Sequence, residues 1–167
     1  MLLSMIRNIL SRVRPTPKLV CKAGLWTQVL SELRKRGGGI REAGGFLLGR
    51  REPSGARRVT HFVAYDDIDP LALRGYIVFD GSKMDRVWKI CANLGVEVVA
   101  DLHTHPGGYD QSATDQANPM LPERGHMALI IPNFADRTYG PGQVGIYEFL
   151  GRGLWRDHSA QGARALR

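Results

Sequence analysis

Two hydrophobic rhythms run along the chain, one of helical and one of strand period, and their order sets the fold class. Residues 24–35 place Leu25, Val29, Leu30 and Leu33 on one helical face, and Gly37, Gly38 and Gly39 end that helix. Strands are predicted at about 44–51 and 57–65, joined through Pro53-Ser54-Gly55 as a hairpin. Residues 66–74 read as a loop, acidic at its start, and Tyr76–Phe79 as a short strand. A helix is predicted over 82–94, with Met84, Val87, Trp88 and Cys91 facing inward and Gly95 closing it. Val96 to His103 is apolar apart from Glu97 and Asp101, which suits a largely buried strand. Gly107 to Met120 is polar and turn-rich, with one helical turn near 113–118. Met127–Ile131, Val144–Leu150 and Gly153–Asp157 read as later strands. Runs of strands rather than strict alternation predict an α+β domain, a mixed β-sheet flanked by helices.

The ends of the chain differ from its middle. Leu2, Leu3, Ile6, Ile9, Leu10 and Val13 repeat at helical spacing with arginines between them, ahead of Pro15. Residues 1–17 therefore read as a basic amphipathic segment that packs on its own domain or a partner, with membrane-surface binding the lesser alternative. Arg7 interrupts the apolar run and no small-residue cleavage site follows, so a secretory signal is not expected, and no stretch has transmembrane length. Residues 18–157 form the domain, and 158–167 are expected to be a basic, flexible tail.

Composition fits one soluble domain, with 43% hydrophobic and 23% charged residues in 167. The net charge of +7 suggests nucleic-acid binding until it is located. Residues 1–18 contribute +4 and residues 151–167 contribute +3, so residues 19–150 are neutral and give no reason to bind phosphates. Cys21 and Cys91 stand far apart and outside any paired-thiol motif, as in a protein of the reducing cytoplasm.

The candidate chemistry begins at Asp101-Leu-His-Thr-His-Pro106. Alternate side chains of a strand share a face, so His103 and His105 project together, and two neutral imidazoles suit zinc. Asp115, in Ser112-Ala-Thr-Asp115, can complete a two-histidine, one-carboxylate set with a fourth position open to water, as catalytic rather than structural zinc requires. The same Ser112-x-x-Asp115 spacing also reads as a helix N-cap, and the two readings are compatible. Hydrolysis further needs a proton-transferring base, for which Glu42, just before the first predicted strand, is available; alone it reads as a solvated glutamate. Asp101 shares strand parity with the histidines and either orients one of them or is hydrogen-bonded at a sheet end. His126 reads as a structural histidine before a reach to a second metal, His61 and His158 have no partner pattern, and Asp66, Asp67 and Asp69 read as a solvated loop that could meet a basic partner.

Glu42-Ala-Gly-Gly-Phe-Leu-Leu-Gly49, then His103-Thr-His-Pro106, then Ser112-x-x-Asp115, resembles the JAMM metallopeptidases, also called JAB or MPN-plus domains. The resemblance spans about residues 18–150 and implies the family's curved mixed sheet, a cytidine-deaminase-like architecture. It implies one zinc on His103, His105 and Asp115, with Glu42 as general base and acid and Ser112 as a donor to the oxyanion. The implied substrate is a peptide or isopeptide bond after the glycine-ended tail of ubiquitin or a ubiquitin-like protein. Processing of a sulfur-carrier protein, or a non-catalytic binding scaffold, are the alternatives. One departure is a spacer, Gly107–Gln111, one residue shorter than the family's usual, which bears on Ser112 more than on Asp115. The stand-alone form looks most like prokaryotic JAB proteins that accompany E1- and E2-like conjugation enzymes, including those of antiphage defence operons.

Overall fold

The computed structural model describes residues 16–167, so the amphipathic segment read at the N-terminus lies almost wholly outside the described residues. Seven strands make one mixed sheet: β1 (Leu19–Cys21), β2 (Gly44–Arg51), β3 (Arg57–Ala64), β4 (Glu97–Thr104), β5 (Met127–Ile131), β6 (Gly145–Gly151) and β7 (Leu154–Asp157). Their order in the sheet is β1-β3-β2-β4-β5-β6-β7. The β1–β3 and β4–β5 pairs are parallel and the others antiparallel. The helices are α1 (Ala23–Gly37), the single turns α2 (Tyr65–Ile68) and α4 (Ala113–Ala117), and α3 (Met84–Leu94). This is the α+β architecture with a mixed sheet that the strand runs predicted.

Burial explains the pattern. β4 is flanked by β2 and β5, and Val98 to Leu102 are all buried, as the near-continuous apolar run requires. Leu47, Leu102 and Leu129 are fully enclosed, each worth about 2–3 kcal/mol relative to exposure. α1 adds Trp26, Val29, Leu30 and Leu33 to this core, and α3 adds Val87 and Cys91. Register slips on both sides of β2 near Leu48 mark bulges that bend the strand. At the slip, a Cβ on Gly49 would overlap the Arg58 carbonyl oxygen, so only glycine lets the strands close there.

Several expectations are corrected. β1 was not legible, because three residues are too few to show a period; it is held by parallel pairing to Arg57–Val59. Tyr76–Phe79 alternates in exposure like a strand yet forms only an isolated bridge, Leu73 to Ile77. Trp88 is exposed rather than inward, while Val87 and Cys91 are enclosed. The segment 158–167 is not a loose tail: its backbone bonds Leu19 and Cys21, and Ala165 and Leu166 are buried. His158 acquires a partner in Glu148 at 2.8 Å. Nor is the acidic loop free, since Arg36 bonds Asp66 and Asp67 at 2.8 Å and buried Asp69 takes Lys83. No helix among the described residues is long and apolar enough to cross a membrane.

Candidate metal centre

The site forms at the C-terminal rim of β4. His103 lies on the strand, paired opposite Gly44, and His105 follows it past Thr104. Thr104 points the other way, fully buried, and its hydroxyl accepts from the Ala43 amide at 3.0 Å while its own amide bonds the Ala43 carbonyl. That reciprocal pair fixes the residue after Glu42 against the residue between the histidines. The Glu42 amide is held by the Gly75 carbonyl at 3.0 Å. Gly44 has a steric role: a Cβ would lie 2.5 Å from the Tyr65 ring and 2.9 Å from the His103 Cβ.

The backbone of His105 is clamped by a strained turn. Asn133, Phe134 and Ala135 take φ of 51°, 52° and 55°, a left-handed run in three non-glycine residues. Such conformations typically cost about 1–3 kcal/mol each and persist where the surroundings enforce them. Here the Phe134 amide donates to the His105 carbonyl at 2.8 Å, and the Asn133 amide to the Gly107 carbonyl at 2.9 Å. The His105 amide in turn donates to the Ile131 carbonyl.

Asp115 comes from the first turn of α4. Ser112 caps that turn: its hydroxyl accepts from the Asp115 amide and donates to Asp115 Oδ2 at 2.7 Å, and its amide bonds the same oxygen. The cap read from Ser112-x-x-Asp115 is therefore formed, and the capped carboxylate faces the two histidines. His103 Nε2 is 3.2 Å from Asp115 Oδ1, His105 Nε2 is 3.2 Å from Oδ2, and the two nitrogens are 3.0 Å apart. All three side chains are mostly enclosed, at 13%, 13% and 19% exposure.

This packing fits a cation. For both imidazoles to donate to Asp115 through Nε2, two N–H groups must face each other at 3.0 Å; if either nitrogen is bare, its lone pair faces a carboxylate. A metal ion would take all three as ligands and remove the conflict, and a borderline nitrogen and oxygen set would suit zinc. Burial pushes the His103 imidazole down, but the hydrogen bond and charge of Asp115 outweigh it and the net shift is upward. Burial pushes Asp115 up, yet hydrogen bonds from His103, His105 and Ser112 drive it well below the usual carboxylate range. Each group is thus biased toward the charge that holds the other in place.

Below the histidines lies a network not legible in the sequence. Asp101 accepts from the Tyr65 hydroxyl at 2.9 Å and pairs with His126 Nε2 at 2.5 Å, all three buried. Both Asp101 oxygens are occupied in this way, and His126 is satisfied as a structural partner. Burial, then the Asp101 charge, holds the Tyr65 phenol well above its usual range, so it stays a donor. Truncation by Asp101→Ala strands two buried polar groups and is expected to cost about 2–4 kcal/mol. Urea unfolding of the full chain measures this; a loss below about 0.5 kcal/mol contradicts it.

Glu42, His103, His105, Ser112 and Asp115 all line one cleft of about 600 Å³, with Tyr76, Met120 and Trp155 among its apolar walls. The five residues singled out in the sequence are thus brought together. The family model describing prokaryotic homologs of the JAB domain matches residues 23–138. The chain belongs to that family. The probable metalloprotease y4jG of Sinorhizobium fredii is 26% identical over 110 residues, covering 62% of this chain and 67% of that protein. Two solution structures share the prokaryotic JAB chain's fold. One, of a Desulfitobacterium hafniense protein, has a TM-score of 0.64 at 17% identity, covering 89% of this chain and 91% of that one. The other, of a Salinibacter ruber protein, has a TM-score of 0.57 at 18% identity, covering 83% and 87%.

Proposed function

We propose that this JAB-family chain is a zinc-dependent peptidase that cleaves after the glycine-ended tail of a ubiquitin-like protein, either as a precursor or as a conjugate. The observation that carries the reading is the convergence of His103, His105 and Asp115, all within 4.8 Å of one another, in a cleft that Glu42 also lines. Family membership and the probable metalloprotease relative support a peptidase-like role.

In this reading His103, His105 and Asp115 hold one zinc per chain. When bound, the ion supplies a Lewis acid that polarises the scissile carbonyl and lowers the pKa of water. Glu42 takes the proton of the attacking water and returns it to the leaving amine. Ser112 first fixes Asp115; to act as an oxyanion donor its hydroxyl proton, given to Asp115 in the substrate-free cleft, turns to the substrate.

The tail assignment draws on the cleft's shape and charge. Among the described residues the lining carries Glu42, Asp101 and Asp115 and no lysine or arginine, which disfavours acidic residues beside the bond and tolerates uncharged glycine. Tyr76 and Ile77 line the cleft, and the amides of Tyr76, Ile77 and Phe79 make no backbone hydrogen bond among the described residues. An extended tail can pair with such an edge. Partnership with E1- and E2-like enzymes belongs to the same proposal, as does action in a reducing cytoplasm, for which the free thiols of buried Cys21 and Cys91 speak.

The test is cleavage of a ubiquitin-like protein joined through its C-terminal glycine to a reporter. Full-length protein loaded with zinc is expected to release the reporter, to stop on chelation and to recover when zinc is restored. Cleavage indifferent to the chelator would remove the metal from the reaction. Cleavage of unrelated peptides in preference to the glycine-tailed fusion would overturn the substrate class.

A further inference from the structure

The segment that carries Asp115 has little to hold it down. α4 is five residues long with none buried, and the Ser112 cap orients the carboxylate only relative to its own turn. Something else must fix that turn relative to β4. Besides the contacts of Asp115 with the two histidines and the burial of Leu121 beyond α4, two hydrogen bonds among the described residues tie residues 108–118 to the sheet, and both come from the β6–β7 hairpin.

On β7, the Trp155 indole donates through Nε1 to the carbonyl of Gln116, the neighbour of Asp115, at 3.1 Å. On β6, the Tyr147 hydroxyl donates to the Tyr109 carbonyl, in the middle of the short spacer, at 3.0 Å. Gly145 makes room for that carbonyl, since a Cβ there would collide with the Tyr109 oxygen and lie 2.6 Å from the Tyr147 ring. Neither donor is loose. Tyr147 is buried, and the Trp155 ring packs on Phe149 with centroids 5.0 Å apart. Gly145, Tyr147, Phe149 and Trp155 all lie beyond residue 138, where the family match ends.

We propose that Tyr147 and Trp155 are positioning residues that hold Asp115 in register with His103 and His105 and thereby set the affinity of the metal site. The inference takes the zinc reading as its premise. The physical cause is geometric. A carboxylate ligand on a short exposed turn loses affinity if the turn drifts, and partners beyond the ligands typically contribute about 10–100-fold to metal affinity. The spacer from Pro106 to Ser112 is short, so pinning its midpoint at Tyr109 leaves few residues free on either side. Trp155 then pins the far end, and its ring forms part of the cleft wall.

The experiment uses the full chain stripped of metal. Trp155→Phe keeps an aromatic ring against Phe149 and removes the indole donor; Tyr147→Phe removes only the hydroxyl. Zinc affinity is measured by competition with a chromophoric chelator, and cobalt is added separately to read its visible spectrum. Each variant is expected to bind zinc about 10-fold more weakly and to show an altered cobalt band. Val29→Ala, in the core of α1, should lower the melting temperature of the metal-free chain and leave zinc affinity unchanged. Wild-type affinity in both variants overturns the inference while the zinc reading stands. Failure of wild type itself to take up zinc overturns both. If one variant does not fold, the other decides.

Discussion

Glu42→Gln is expected to keep its zinc and to cleave at least about 100-fold more slowly than wild type, the lower end of what a positioned acid–base group contributes. The substitution is nearly isosteric, and Glu42 is outside the group of side chains placed to hold a metal. Its amide bond to Gly75 and the Ala43–Thr104 pair involve backbone that glutamine leaves in place. What disappears is the carboxylate that accepts a proton at the cleft. The expected signature is therefore a fall in kcat with metal content unchanged. Zinc analysis and cleavage rates on one preparation check it. Equal rates for wild type and variant would remove Glu42 from the chemistry.

Asp115→Asn is expected to have the largest effect on metal binding, lowering zinc affinity by more than the about 100-fold that marks the upper end for partners outside the ligand set. Asp115 supplies the only carboxylate among the three grouped side chains, and its charge opposes that of the cation. The side-chain oxygen of asparagine can still accept from the Ser112 amide and hydroxyl, and the backbone amide at 115 still donates to Ser112 Oγ, so the turn should survive. The metal-free fold should be little changed as well, because among the described residues the Asp115 carboxylate has polar partners only in the histidines and Ser112. Calorimetric titration with zinc measures the affinity, and circular dichroism checks the fold. An affinity within a few-fold of wild type would take Asp115 out of the ligand set.

The parts of this protein legible in its sequence are those written in local pattern. Met127–Ile131 is a strand with the predicted bounds, because five consecutive apolar residues between turns leave little alternative. Gly38 and Gly95 end α1 and α3 in the left-handed conformation, as glycine at a helix end suggests. Strand parity sets His103 and His105 on one side of the strand, and Asp115 and Glu42, singled out by residue type and then by the family motif, are brought by the fold to the same cleft. What was hidden depends on partners distant along the chain. Asp101 is claimed by Tyr65 and His126 rather than by His103 or His105, and nothing local to any of the three announces this. The left-handed turn at 133–135 carries no glycine, so its conformation comes from the neighbours that bond it. Tyr147 and Trp155 looked like ordinary strand residues; their donors matter only because the hairpin lies beside the Asp115 segment. Trp88 erred in the opposite direction, a large apolar residue on the exposed edge of an otherwise well-read helix.

The measurement closest to the central claim is a zinc titration of chelator-stripped wild type beside Asp115→Asn. The account predicts one zinc per wild-type chain and the loss of that site in the variant. No zinc uptake by wild type, or uptake unchanged by Asp115→Asn, would contradict it.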